Sequence, residues 1–457
     1  MKTYQDWLKV ADKSEQDRMD FIKQFINEHK SSLLYKQAVD AETYFAGQNA
    51  TIKKYIKYLY DAKGNAVQDL YSANHRLATR FFYRSVTQAN STLLGNGVTW
   101  DKGEGEKALG ADFDRKLIKA GRNAQVGGVS FGFYNNNKVE IYKITEFAPL
   151  LDEEDSSVKA GVRFWQIDSE KPLRANMFEL DGITEYQWDK DNPSGFVLQP
   201  KRPYIIIKQI TEAFGEEDNY EFSNYPTFPV VPCWANELKQ SELLPIRATL
   251  DCYDFINSKY ADDIDDADLV YWTITNAGGM DDVDLVQFLD KLRKLHAAQT
   301  DGDQIVQPNS VDVPFQGREA LLDRLEKQLY RDSMSLNTYD IANGAITATQ
   351  IEASYEPLNE KLDGYEAEIS DFIARLLAVA GVEDTPTYTR SIIVNRTEEI
   401  STVVNSALYL DDEYVTEKVM TLLGDKDKID EVLKRKAQED ISRMTSGTEN
   451  AEEAEEI

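Results

Sequence analysis

The chain has 457 residues, 42% apolar and 29% charged, with 80 acidic against 51 basic side chains and a formal net charge of −29. That balance excludes a free-standing nucleic-acid binder built on clustered Lys and Arg, because the whole molecule repels a polyanion. Two cysteines, Cys233 and Cys252, exclude a disulfide framework, and no apolar run reaches the roughly 20 residues of a membrane span.

Residues 1–40 read as helical, with the pairs Phe21-Ile22 and Phe25-Ile26 four residues apart on one face. A second helix is expected over 74–94, carrying Leu77, Phe81, Phe82, Val86 and Leu93 and stopping at Leu94-Gly95-Asn96-Gly97. After the strand-like Val98-Thr99-Trp100, a third helix spans about 112–125. The period then drops to two. Six or more short β-rich runs separated by Asn, Pro and Gly turns predict an antiparallel β region over 127–233.

Three long helices dominate the next part. The first starts at Ser241, with Ile246, Leu250, Tyr253, Ile256 and Tyr260 at steps of three and four. The second runs from about Arg318 through Leu321, Leu322, Leu325, Leu329 and Tyr330, and the third from Ile351 to Leu377 with a kink expected at Pro357. At about 1.5 Å per residue the first and third each reach roughly 35–45 Å. Between the first two, a strand at 269–274, a Gly278-Gly279 turn, a helix at 283–298 and a strand at 304–307 make a small βαβ unit. Past Gly381 an extended run at 388–394 precedes short helices, and the acidic stretch 445–457 is expected to be disordered.

Signals for catalysis are sparse. His29, His75 and His296 are far apart in sequence, without HExxH-like spacing, and no phosphate loop, dinucleotide fingerprint or nucleophile elbow occurs. No cofactor and no metal is expected. The one tempting cluster is Asp262, Asp263, Asp265, Asp266 and Asp268. Its spacing lacks the glycine and distal glutamate of an EF-hand, and its members point around much of a helix. A solvated acidic helix end is the simpler reading; a metal-dependent nuclease or hydrolase using this cluster is the alternative.

The order of parts is diagnostic. Tyr44-Phe45-Ala46-Gly47, Asn74-His75-Arg76-Leu77, Thr92-Leu93-Leu94-Gly95-Asn96-Gly97-Val98-Thr99, Pro229-Val230-Val231-Pro232, Leu250-Asp251-Cys252-Tyr253-Asp254, Ile392-Ile393-Val394-Asn395-Arg396 and Leu408-Tyr409-Leu410-Asp411-Asp412-Glu413 follow in sequence. Together they resemble the portal proteins of tailed bacteriophages, in particular those of long-tailed phages of Gram-positive bacteria. One departure is Ala342-Asn343-Gly344-Ala345-Ile346-Thr347-Ala348, which lacks the Ser-Gly-x-Ala-Leu common in that loop.

The resemblance implies an α+β subunit with an α/β wing (1–233), a two-helix stem (234–268 and 313–336) and a βαβ clip (269–312). It further implies a tunnel loop (337–350), a long wing helix (351–383) and a helical crown (384–444). The implied function is non-enzymatic: a ring of twelve copies at one capsid vertex, through which double-stranded DNA is packaged and ejected. Implied partners are the large terminase subunit, the major capsid and scaffolding proteins and the head–tail adaptor of the neck, with DNA passing non-specifically and no membrane. The implied location is the virion, with host cytoplasm during assembly. On this reading Asn337, Thr338, Tyr339, Asn343, Gly344 and Thr347 face DNA, and the five aspartates form an acidic channel ring. Arg318, Arg324, Lys327 and Arg331 are candidate inter-subunit cations that relieve its repulsion. Another virion structural protein, of capsid or neck, is the third alternative.

Overall fold

The computed structural model describes residues 2–60, 64–70, 72–209, 219–267, 271–275, 287, 305–309, 315–339, 348–391, 396–423, 428–429, 431–436 and 438. They form two compact units, one of 1–335 with 360–390 and one of 336–359 with 391–457. Among the described residues no helix is long and apolar enough to cross a membrane.

The first unit opens with helices α1 (Tyr4–Ala11), α2 (Glu15–Ser31), α3 (Leu33–Phe45) and the short α4 (Ala50–Lys53). Thr3, Ser14, Ser32 and Asn49 cap them in turn, each accepting from a backbone N–H of the first turn. The hairpin β1 (Tyr58–Tyr60) and β2 (Ala66–Gln68) follows. Helix α5 (Phe81–Leu94) leads to β3 (Val98–Trp100), α6 (Glu104–Leu109) and α7 (Phe113–Gly127).

The β region is antiparallel, as its period-two pattern requires. Strands β4 (Val129–Tyr134) and β5 (Val139–Lys143) pair with β13 (Val230–Trp234) in the order β13-β4-β5. Strands β6 (Phe147–Leu151), β7 (Val158–Trp165), β8 (Leu173–Glu179), β9 (Gly182–Trp188) and β10 (Phe196–Arg202) form a five-stranded meander. A separate hairpin joins β11 (Ile205–Gln209) to β12 (Asn219–Ser223). Trp7, Phe21, Ile22, Phe25 and Ile26 of the first two helices bury their shared face against Leu150, Val162, Phe164 and Met177 of the meander. His29 is buried beneath them, its Nε2 at 2.8 Å from the Ile144 carbonyl, and burial lowers its pKa. It is a core histidine whose Nε2 has a partner and whose buried Nδ1 has none among the described residues.

The long helices differ from expectation in extent. Helix α8 (Arg247–Ala267) begins six residues later than Ser241, because Ser241–Ile246 form turns, and its 21 residues span about 31 Å. Strands β14 (Tyr271–Thr275) and β15 (Ile305–Asn309) pair antiparallel, so the clip strands lack the parallel pairing of a βαβ crossover; its helix, Gln287 apart, lies outside the described residues. Helix α9 (Phe315–Asp332) has 18 residues. Helix α10 (Ala348–Ala380) is one continuous helix of 33 residues, about 50 Å, with Pro357 inside it. Strand β16 (Pro386–Tyr388) pairs with β3 and shares only Tyr388 with the extended run expected at 388–394, of which 392–394 lie outside the described residues. In the second unit, α11 (Arg396–Ser406) and α12 (Asp412–Leu423) pack as neighbours. The 445–457 stretch lies outside the described residues.

The second expected helix, over 74–94, exists only from Phe81. Residues 72–80 are not helical, and the cause is specific: the N–H groups of His75, Leu77 and Thr79 are held by side chains of α8.

Candidate functional site

Helices α8 and α9 pack side by side and are anchored at one end in the core. Leu243, Ile246, Leu250, Leu329 and Tyr330 join Phe81, Phe82 and Val86 of α5 in one buried cluster. Beyond this anchor α8 carries polar residues at 251, 254, 258 and 262, at steps of three, four and four on one face. Asp251 accepts from the hydroxyls of Tyr44 and Thr51. Asp254 accepts from Asn49 Nδ2 at 2.8 Å and from the Thr79 N–H at 3.0 Å. Ser258 Oγ accepts from the Leu77 N–H at 3.0 Å. Asp262 accepts from the His75 N–H at 2.7 Å and from His75 Nδ1 at 2.9 Å, which places the ring proton on Nδ1, since a carboxylate only accepts.

The geometry explains the match. Two residues of extended chain advance about 6.6 Å, and four residues of helix advance about 6.0 Å. Alternate residues 75, 77 and 79 therefore stay in step with 262, 258 and 254, running antiparallel to the helix. Asp254, Ser258 and Asp262 are each fully buried by this segment. Burial raises the pKa of Asp254 against the hydrogen bonds from Asn49 and Thr79, which favour its ionised form.

The acidic cluster does not converge. Asp262 is turned into its own subunit, with Lys57 Nζ at 3.5 Å, so it is not an open channel carboxylate. Asp263 is ion-paired with Arg318 of α9. Asp265, half exposed, lies 3.5 Å from His75 Nε2. The Asp266 side chain and Asp268 lie outside the described residues. Among the described residues no group of three acidic, His or Cys side chains is placed to hold a metal ion.

The basic residues of α9 divide likewise. Arg318 serves within the chain rather than between subunits, because α8 and α9 lie alongside each other and bring it to Asp263. Lys327 pairs with Asp323 one turn away. Arg324 and Arg331 are exposed. In the 337–350 segment, Thr338 and Tyr339 are exposed, and Asn337 Oδ1 accepts from the Tyr339 N–H at 3.2 Å. Asn343, Gly344 and Thr347 lie outside the described residues.

Sequence reasoning missed the residues that position these helices: Asp251, Asp254 and Ser258. Their signal was the 3-4-4 polar spacing on an otherwise amphipathic helix. It also missed the half-buried pair Lys361–Glu242 at 2.7 Å and the chain Tyr365–Asn90–Gln125, which tie α10 to the 241–246 turn, α5 and α7.

A family model for phage portal proteins, SPP1 Gp6-like, matches residues 23–442. A portal protein of Clostridium phage phiCD119 is 22% identical over 414 residues, covering 81% of this chain and 86% of that protein. Among solved structures, the neck of a native GTA particle computed with C12 symmetry aligns with TM-score 0.43 and 11% identity, over 74% of this chain and 89% of the other. The neck of an empty GTA particle computed with C6 symmetry aligns with the same score and identity, over 75% and 90%.

Proposed function

Because this chain belongs to the SPP1 Gp6-like family of phage portal proteins, we propose that it assembles as a ring of twelve at one capsid vertex and conducts double-stranded DNA inward during packaging and outward during ejection. The observation that carries this reading is the family match over 23–442, nearly the whole chain. Its role is structural and not enzymatic. The ring docks the large terminase subunit during packaging and the head–tail adaptor afterwards, and it meets the major capsid and scaffolding proteins during assembly in the host cytoplasm.

In this proposal 1–233 is the wing, 234–268 and 313–336 the stem, and 269–312 the clip. Residues 337–350 form the tunnel loop, 351–383 the long wing helix, and 384–444 the crown. Asn337, Thr338, Tyr339, Asn343, Gly344 and Thr347 offer passing DNA uncharged contacts. Asp265, Asp266 and Asp268 supply acidic character near the stem–clip junction, and Arg324, Lys327 and Arg331 lie between copies.

The charge supports the role. A conduit that gripped each phosphate with a cation would hold the polyanion at every step, whereas a chain at −29 repels and centres it. Native mass spectrometry of the purified chain, followed by electron microscopy of the particle vertex, tests the reading. A closed ring near twelve copies with an axial channel wide enough for a duplex is expected. A chain that stays monomeric at high concentration and is absent from the vertex overturns it.

The nuclease reading is disfavoured by one observation: Asp262 and Asp263 are already committed to His75 and Arg318.

A further inference from the structure

The chain is acidic as a whole but not everywhere. Residues 107–143 carry seven cations and three carboxylates in a molecule of net charge −29. Helix α7 concentrates this local excess. Arg115, Lys119 and Arg122 follow at steps of four and three, with the partly exposed Ile118 among them, so all four share one solvent face. Lys119 Nζ donates to the Ile141 carbonyl at 3.4 Å, and none of the three cations makes an ion pair with a described residue.

The carboxylates close by are already engaged. Asp112 pairs with Lys116 at 3.6 Å, Glu42 pairs with Lys143 at 3.2 Å, and Asp114 accepts from the Val98 N–H at 3.2 Å. Past Arg122 the face continues over aromatic rings. Arg122, Lys143 and Phe45 line one hollow of about 370 Å³. The Phe45 ring lies 5.0 Å from that of the exposed Tyr83, and the Arg80 guanidinium lies over Tyr83 at 4.5 Å. Arg80 is exposed and makes no ion pair with a described residue. Helices α3, α5 and α7 thus bring four uncommitted cations and two aromatic rings onto one surface.

Such a surface suits a polyanion. From Arg115 to Arg122 the helix rises about 10.5 Å. Over that length one strand of a duplex presents about three phosphates, one for each charged head. A guanidinium lying flat on Tyr83 offers its fork of N–H donors to phosphate oxygens. Charge is felt over only about 8 Å at physiological salt, so a duplex seated here meets these cations and little of the acidic remainder.

We propose that this face of α7, extended by Arg80 and Tyr83, contacts the backbone of double-stranded DNA. The proposal rests on the portal reading above, which brings DNA to every copy and so favours it over an acidic protein surface. Four phosphate contacts make a weak, sequence-independent site that steadies DNA without holding it. Their signature is a log affinity that falls with log salt at a slope of about −3.6.

The first test titrates the full chain into a fluorescein-labelled 24-base-pair duplex and follows anisotropy at several salt concentrations. Binding with that slope is expected. The triple variant Arg115→Gln, Lys119→Gln, Arg122→Gln should bring the slope to about −0.9 and weaken binding at least tenfold at low salt. A control triple, Lys9→Gln, Lys159→Gln, Lys190→Gln, changes net charge equally at exposed ion pairs elsewhere and should leave the slope unchanged. No duplex binding, or equal losses in the two triples, overturns the proposal; so does poly-glutamate bound as tightly as the duplex, which assigns the face to an acidic protein surface. The second test places p-azidophenylalanine at Ile118 in DNA-filled particles. Photo-adducts with DNA are expected. Adducts with protein only, or none, in particles whose vertex ring is intact overturn the DNA assignment and leave the ring standing. Failure of the ring reading is seen separately, in native mass.

Discussion

Asp262 accepts two hydrogen bonds from a single residue, His75, one from its backbone N–H at 2.7 Å and one from Nδ1 at 2.9 Å, and is wholly buried in doing so. A carboxylate that looks, in sequence, like one of five in an acidic run is the far clasp of an extended strap along α8. The strap is registered by main-chain donors, so the sequence of 72–80 is less constrained than the carboxylates and hydroxyl that receive it.

Asp262→Ala is expected to destabilise the chain by about 2–4 kcal/mol, since it strands the His75 N–H and removes two bonds to a charged acceptor. Asp265→Asn, at a half-exposed site, is expected to change stability by less than about 0.5 kcal/mol. Urea unfolding at neutral pH compares them. Equal, small effects would return Asp262 to an open acidic cluster.

Asp254→Asn is expected to cost about 1–3 kcal/mol despite being isosteric. Asn49 Oδ1 already caps the N–H groups of Thr51 and Ile52, which fixes its Nδ2 toward residue 254. An amide there needs an acceptor for both Asn49 and Thr79, and it has only one oxygen. Asn49→Asp, Asp254→Asn in combination reverses one donor–acceptor pair and should recover part of the loss; no recovery in thermal melts would show that the pair is not the cause.

How much of this was legible beforehand follows from the range of each interaction. The helix faces and the antiparallel β region are local patterns with periods near 3.6 and 2, and they appear where expected. The strap was misread as helix because Leu77, Phe81 and Phe82 fit a helical face, while its actual partners lie more than 170 residues away. Likewise the aspartate run read as solvated because burial of Asp262 depends on Lys57 and His75, which no local window contains. The Arg318–Asp263 pair was half visible: the right cation was chosen, but adjacency of α8 and α9 within one subunit made the pairing internal.

Gly121→Ala is expected to cost about 2–4 kcal/mol through overpacking and a lost hydrogen bond. A Cβ there would lie 1.8 Å from Tyr365 Oη and 2.8 Å from Asn90 Oδ1, at the crossing of α7 with α10. Tyr365 is buried and cannot swing aside. Tyr365→Phe removes the clashing oxygen, so the double variant should be less destabilised than the sum of the singles. Strict additivity in a double-mutant cycle would contradict this close approach.

The last expectation concerns pH and the junction that holds the end of α10 to the N-terminal region. Asp384 accepts from the N–H groups of Lys102 at 3.0 Å, Glu104 at 2.9 Å and Gly105 at 2.9 Å, capping α6 beside the β3–β16 pair. Burial pushes its carboxyl up, but the N–H groups of Gly105, Lys102, Thr385 and Glu104 outweigh that and leave its pKa lowered. A depressed carboxyl contributes stability that is complete above its unfolded pKa, about 3.9, and lost as pH falls through the lower folded value. Asp384→Asn should therefore melt below the parent chain at pH 7, keep the same gap while pH stays above the unfolded value of about 3.9, and lose it progressively as pH falls below that. Thermal melts across that range check the sign. A gap that does not close in acid would mean the variant suffers from altered geometry and not from the missing charge.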